Sequence, residues 1–120
     1  MVDDEPDARE LVRYVLCEAS AEVRTAGSAG EGLQMMMALQ PDVIVSDIGM
    51  PERDGYQFIC DVRGLSAAAG GKTPAIALTA FARAEDRARA TRAGYQVHVS
   101  KPIEPSELVA SVYSLARRSS

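Results

Sequence analysis

Three carboxylates, one hydroxyl and one ammonium stand out because each closes an apolar run. Asp3 and Asp4 follow Val2, Asp47 follows Val43-Ile44-Val45-Ser46, Thr79 follows Ala75-Ile76-Ala77-Leu78, and Lys101 follows Val97-His98-Val99-Ser100. Clustered carboxylates repel one another and need a cation, and hard oxygen ligands with room for water suit Mg²⁺. A carboxylate beside such an ion can attack phosphorus and form an acyl phosphate. The new phosphoryl oxygens then need fixed positive charge and a donor, the types that Lys101 and Thr79 supply. Eleven of the thirteen basic residues are Arg, yet the one ahead of Pro102 is Lys, a compact point charge.

Each group also has an ordinary explanation. Asp-Asp-Glu near a helix start serves as a cap and dipole partner, a strand threonine is common, and a lone lysine is usually solvated. Asp47 could simply begin a loop, since Gly49-Met50-Pro51 and Gly55 follow it. Five such groups at successive strand ends are harder to assign to chance, because ligands of an open parallel sheet bind beyond the carboxyl ends of its strands.

The elements that would position them alternate between two periods. Ala8, Leu11, Val12, Val15, Leu16 and Ala19 mark one face of a first helix. Residues 22–26 read as a short strand. Ser28 with Glu31 is a capping box opening a second helix, in which Gly30 and Gly32 each cost roughly 1 kcal/mol against Ala. Val43-Ile44-Val45 is a buried parallel strand by pattern, and Phe58, Ile59 and Val62 form a third helical face. Residues 66–72 read as a mobile small-residue loop and 75–79 as a strand. A helix over 83–93 ends at Gly94, a strand covers 97–99, and Pro105 opens a last helix through Leu108, Val112 and Leu115. Strand and helix in alternation predict an α/β domain with a mostly parallel sheet.

At this point the sequence resembles the receiver domain of two-component response regulators over essentially its whole length. The resemblance rests on VDDE (2–5), SDIGMPERDG (46–55), LTA (78–80) and SKP (100–102), in that order. It implies a flavodoxin-like, doubly wound sheet of five parallel strands in order 2-1-3-4-5 with five helices. It implies that Asp47 accepts a phosphoryl group from a phosphohistidine on a sensor histidine kinase or histidine phosphotransfer domain. Asp4 and Asp47 would ligate Mg²⁺ with the Gly49 carbonyl, and Asp3 would do so through water. Lys101 would pair with the phosphoryl group, ahead of a cis bond to Pro102, and Thr79 would turn inward onto a phosphoryl oxygen. The chain would thus be a phosphoryl acceptor with self-catalysed phosphorylation and dephosphorylation, not a turnover enzyme. GYQVHVSKPIEPSEL (94–108) resembles receivers attached to hybrid sensor kinases. A homodimer through the last two strands and helices also follows from the resemblance.

Two positions depart from the pattern. Only Met1 and Val2 precede the acidic pair, so the central first strand is expected to be cut short. His98 stands where a Tyr or Phe usually acts as a rotameric switch, and reads either as that switch or as a partly buried strand residue. Arg83, Arg87, Arg89 and Arg92 read either as a solvated helix face or as a docking surface. Two rival functions fit the sequence less well. A haloacid-dehalogenase-like phosphatase needs a second acid two residues after its nucleophile, where Gly49 stands. A degenerate receiver that only binds proteins would lack part of the acid set, which is complete.

Composition fits this reading. The 120 residues suit one domain, 1–120, burying about two-thirds of its unfolded surface. A net charge of −4 argues against direct nucleic-acid binding, and no apolar run approaches the ~20 residues of a membrane helix. Cys17 and Cys60, outside any C-x-x-C pair, read as small buried thiols in a reducing, cytoplasmic setting.

Overall fold

A computed structural model describes residues 1–48, 54–79 and 84–119, the last three by their helical backbone alone. Five helices occur in it: α1 (Pro6–Glu18), α2 (Ala29–Leu39), α3 (Gly55–Arg63), α4 (Ala84–Ala93) and α5 (Pro105–Ser119). Three strands, β1 (Ile44–Asp47), β2 (Ala75–Thr79) and β3 (Val97–Ser100), form a parallel sheet in that order. The register sets Asp47 beside Leu78 and Thr79 beside Ser100, so the polar strand ends finish at one edge.

The five-stranded expectation is met only in part among the described residues. The first two strands are reduced to isolated parallel bridges, Val2 to Ala26 and Val2 to Ser46. Their backbones keep the expected places. Val2 N–H donates to Val45 O at 2.8 Å and Asp47 N–H to Val2 O at 2.9 Å, while Ala26 N–H reaches Met1 O at 2.8 Å. The spatial order is therefore residue 26, residue 2, β1, β2, β3, which is 2-1-3-4-5 with its first two members one bridge long. Of residues 22–26, only Ala26 is bridged, to Val2.

Two apolar cores flank the sheet. Val12, Val15, Leu16, Leu108 and Leu115 from α1 and α5 pack on Val45, Ile76, Leu78 and Val99. Ala29, Met36, Phe58, Ile59, Val62 and Ala90 from α2, α3 and α4 pack on Ile44, Ala75 and Ala77. Alternation along β1 and β2 sends successive side chains to opposite layers.

Several local expectations hold and others are corrected. Ser28 Oγ accepts from Glu31 N–H at 3.2 Å, and Glu31 reaches back to Gly27 N–H at 3.4 Å. Leu11 lies at the edge of its helical stripe and is half exposed. Cys17 and Cys60 are exposed, not buried, because they fall on the outer faces of α1 and α3. The 66–72 segment contains a 3-10 turn, Ala67–Ala69, capped by Ser66 Oγ accepting from Ala69 N–H at 3.2 Å. No helix among the described residues is long and apolar enough to cross a membrane.

Candidate functional site

The strand ends bring the acids together. Oxygens of Asp3, Asp4 and Asp47 lie within 4.8 Å of one another. Asp3 and Asp47 are buried and Asp4 is exposed, which leaves an approach from solvent on one side. Lys101 enters from the end of β3, where its N–H donates to Thr79 O at 2.8 Å. Its Nζ donates to Asp47 Oδ1 at 2.9 Å and stands 3.8 Å from Asp3 Oδ2. The Lys101–Pro102 bond is cis. Thr79 is buried at the end of β2.

The charge balance is uneven. Burial pushes the Asp3 carboxyl above its usual range, and the Asp47 and Asp4 charges push the same way. The Glu5 N–H donating to Asp3 Oδ1 at 2.9 Å opposes this, as does Lys101. Burial disfavours the Lys101 ammonium, but the Asp47 bond and the charges of Asp47, Asp3 and Glu5 outweigh it and raise its pKa. Asp3 Oδ2 is buried with no hydrogen-bond partner among the described residues. A buried carboxylate oxygen is normally satisfied, so this orphan in a cluster of three acids is a group that a cation would satisfy. All-oxygen donors with one open side fit Mg²⁺.

Three supporting residues had no role assigned by the sequence. Arg9, on the first turns of α1, donates from NH1 to Asp3 O at 2.9 Å and fixes the acidic turn. Tyr95, just before β3, is buried and donates to Gly55 O at 2.7 Å. Ser46 Oγ donates to Asp47 O at 3.0 Å beneath the acid. Gly55 packs so closely that a Cβ there would run into the Asp47 carbonyl oxygen. Ser46 and Tyr95 fall in SDIGMPERDG and GYQVHVSKPIEPSEL, stretches that carry the resemblance without assigning either residue a role; for Arg9 there was no signal.

His98 is half-buried, with Nε2 3.3 Å from Thr91 Oγ1 on α4. Thr91 donates its proton to Arg87 O at 3.0 Å, so Nε2 of His98 is the donor to Thr91. Arg87 and Arg92 are exposed, whereas the Arg89 guanidinium lies 3.9 Å over the Tyr56 ring and ties α4 to α3. Gly49 and Arg83 lie outside the described residues.

Comparison with known proteins agrees with the geometry. The response regulator receiver domain model matches residues 1–113. The chain is 45% identical over 118 residues to an uncharacterized 14.6 kDa protein from the sodA1 3′ region of Leptolyngbya boryana, covering 97% of this chain and 88% of that one. It is 36% identical over 119 residues to the response regulator Rre1 of Synechocystis, covering 98% of this chain and 51% of the relative, so it spans about half the length of that protein. The structure of the Vibrio cholerae chemotaxis protein CheY4 superposes with a TM-score of 0.87 at 30% identity, over 95% of this chain and 93% of that one. The chain thus has the flavodoxin-like fold, and it belongs to the response regulator receiver domain family of two-component signalling.

Proposed function

We propose that Asp47 is a phosphoryl acceptor, loaded from the phosphohistidine of a sensor histidine kinase or histidine phosphotransfer domain. The observation that carries this reading is the Lys101 Nζ–Asp47 Oδ1 contact at 2.9 Å, set within 4.8 Å of two further acids. An Asp47 oxygen attacks phosphorus in line with the departing nitrogen, forming an O–P bond as the N–P bond breaks. The imidazole keeps the electron pair and takes a proton from solvent. Lys101, already at the carboxylate, turns from pairing with Asp47 to pairing with the phosphoryl oxygens, and Thr79 donates its hydroxyl to another.

Asp3, Asp4 and Asp47 would hold the metal, with the Gly49 carbonyl as the fourth ligand that the family resemblance implies. When bound, Mg²⁺ supplies positive charge to the phosphoryl oxygens as their charge builds. Loss of the phosphoryl group is self-catalysed hydrolysis of the acyl phosphate, so the chain is an acceptor and not a turnover enzyme. The partner-facing readout is the surface of α4, β3 and α5, where His98 lies against Thr91. That surface would also serve a homodimer. A cytoplasmic location follows from the proposed partner.

Acetyl phosphate with Mg²⁺ tests the reading by intact-mass analysis. One base-labile, hydroxylamine-sensitive phosphoryl group per chain is expected, absent without Mg²⁺ and absent in Asp47→Ala. Labelling that persists in Asp47→Ala overturns the assignment, and sustained release of many equivalents of phosphate would make the chain a phosphatase.

A further inference from the structure

Two buried hydroxyls lie beneath Asp47 in an otherwise apolar layer. Tyr95, only 1% exposed, belongs to the core formed by Phe58, Ile59, Val62, Ala75 and Ala77. Its phenol donates to Gly55 O at 2.7 Å. The fully buried Ser46 hydroxyl stands beside that phenol and donates to Asp47 O at 3.0 Å. Phe at 95 and Ala at 46 would nearly fill the same space and bury no polar atom. The hydroxyls, not the packing, therefore call for a reason.

The backbone they reach is the backbone that carries Asp47. Gly55 N–H donates to Ile48 O at 2.9 Å, which ties the first residue of α3 to the residue after the acid. A Cβ on Gly55 would run into Asp47 O and lie 2.7 Å from Ile48 Cα, so the two backbones are in direct contact. A shift of Gly55 towards β1 must displace the Asp47 peptide. Tyr95 precedes β3 and Lys101 follows it. One short segment thus supplies both the ammonium on the Asp47 carboxylate and a hydroxyl that fixes the backbone against it. Burial pushes the phenol well above its ordinary pKa, with the Ser46 hydroxyl opposing, so its proton stays on the oxygen as a donor.

We infer that Tyr95 and Ser46 are positioning residues for phosphoryl transfer, their hydroxyls holding Gly55 and the Asp47 peptide so that the carboxylate stays aligned with Lys101. The inference rests on the acceptor reading and adds two residues which that reading does not use. Attack in line tolerates little error, since about 1 Å of misplacement costs on the order of 100-fold in rate. Tyr95→Phe keeps the ring and removes the hold on Gly55. Arg89 over the Tyr56 ring still joins the first turn of α3 to α4, so α3 stays docked.

The test sets Tyr95→Phe and Ser46→Ala beside Val62→Ala, a truncation in the last turn of α3. Labelling by acetyl phosphate with Mg²⁺ is followed at a temperature where each protein is folded by circular dichroism. Tyr95→Phe and Ser46→Ala are each expected to label at least ~10-fold more slowly than wild type. Both should also need more Mg²⁺ for half-maximal labelling. Val62→Ala should label at the wild-type rate although it melts lower. Should Tyr95→Phe not fold, Ser46→Ala decides alone. A folded hydroxyl variant that labels at the wild-type rate overturns the inference and leaves the acceptor reading standing. Equal slowing in Val62→Ala also overturns it, because lost stability would then be the cause. An unlabelled wild type overturns the acceptor reading, and this inference with it.

Discussion

Asp3 holds one carboxylate oxygen satisfied and one bare, and that asymmetry defines the site at the scale of a residue. Oδ1 accepts from Glu5 N–H, and Oδ2 faces Lys101 at 3.8 Å with the Asp47 charge nearby. A carboxyl whose folded pKa is raised resists ionisation in the fold, so its charge at neutral pH works against stability. Asp3→Asn keeps an acceptor for Glu5 and removes that charge. The metal-free protein is expected to be stabilised by it, seen as a higher Tm. Wild type should also gain Tm in millimolar MgCl₂, whereas Asp3→Asn should gain little or nothing. A lower Tm in the variant without metal, or an unchanged Mg²⁺ increment, would contradict this account of the orphan oxygen.

Within an element, two neighbouring glycines separate propensity from packing. Gly30 in α2 has nothing within 4 Å of where a Cβ would stand, whereas at Gly32 a Cβ would lie 2.8 Å from Val2 Cγ2 and 3.1 Å from Phe58 Cε1. Gly30→Ala should therefore stabilise by roughly 0.5–1 kcal/mol, and Gly32→Ala should destabilise by about 1–3 kcal/mol through overpacking. Urea denaturation of both variants checks the opposite signs; two shifts of one sign would refute the distinction. The sequence showed both as helix-weakening glycines and could not tell them apart, because the difference lies in what α2 touches. The same limit explains other gaps. The helices and β1–β3 were legible from period alone, and the five strand-end groups from their place after apolar runs. Arg63 was not legible: its guanidinium reaches Gly94 O at 2.7 Å and Thr73 O at 2.7 Å, tying α3 to two distant loops. No local pattern announces such a reach. Residues 22–26 carry a strand-like pattern, yet only Ala26 is bridged, to Val2, because strand formation depends on cross-strand pairing as well as on pattern.

For the molecule as a whole, the sheet is continuous in hydrogen bonding yet ends at a charge. Met1 joins the ladder at Arg24, and through Val2 the segment links residue 26 to β1. Burial lowers the pKa of its amine from the ordinary 8.0 to about 6 in the fold. Above about pH 8 the group is neutral in folded and unfolded chains alike and has no effect. As the pH falls from about 8 towards 6, the unfolded chain takes up a proton that the folded chain resists, and stability declines. Below about pH 6 both forms are charged and the loss is complete, on the order of 2 kcal/mol. N-terminal acetylation removes the titration while leaving an N–H for the Arg24 carbonyl. The unmodified chain should therefore lose stability across this window relative to the acetylated chain, the two curves converging above about pH 8. Denaturant titrations of both forms between about pH 6 and pH 9 measure that difference directly. Parallel curves across the window would mean that the amine is solvated in the folded state and that the first strand ends at the surface.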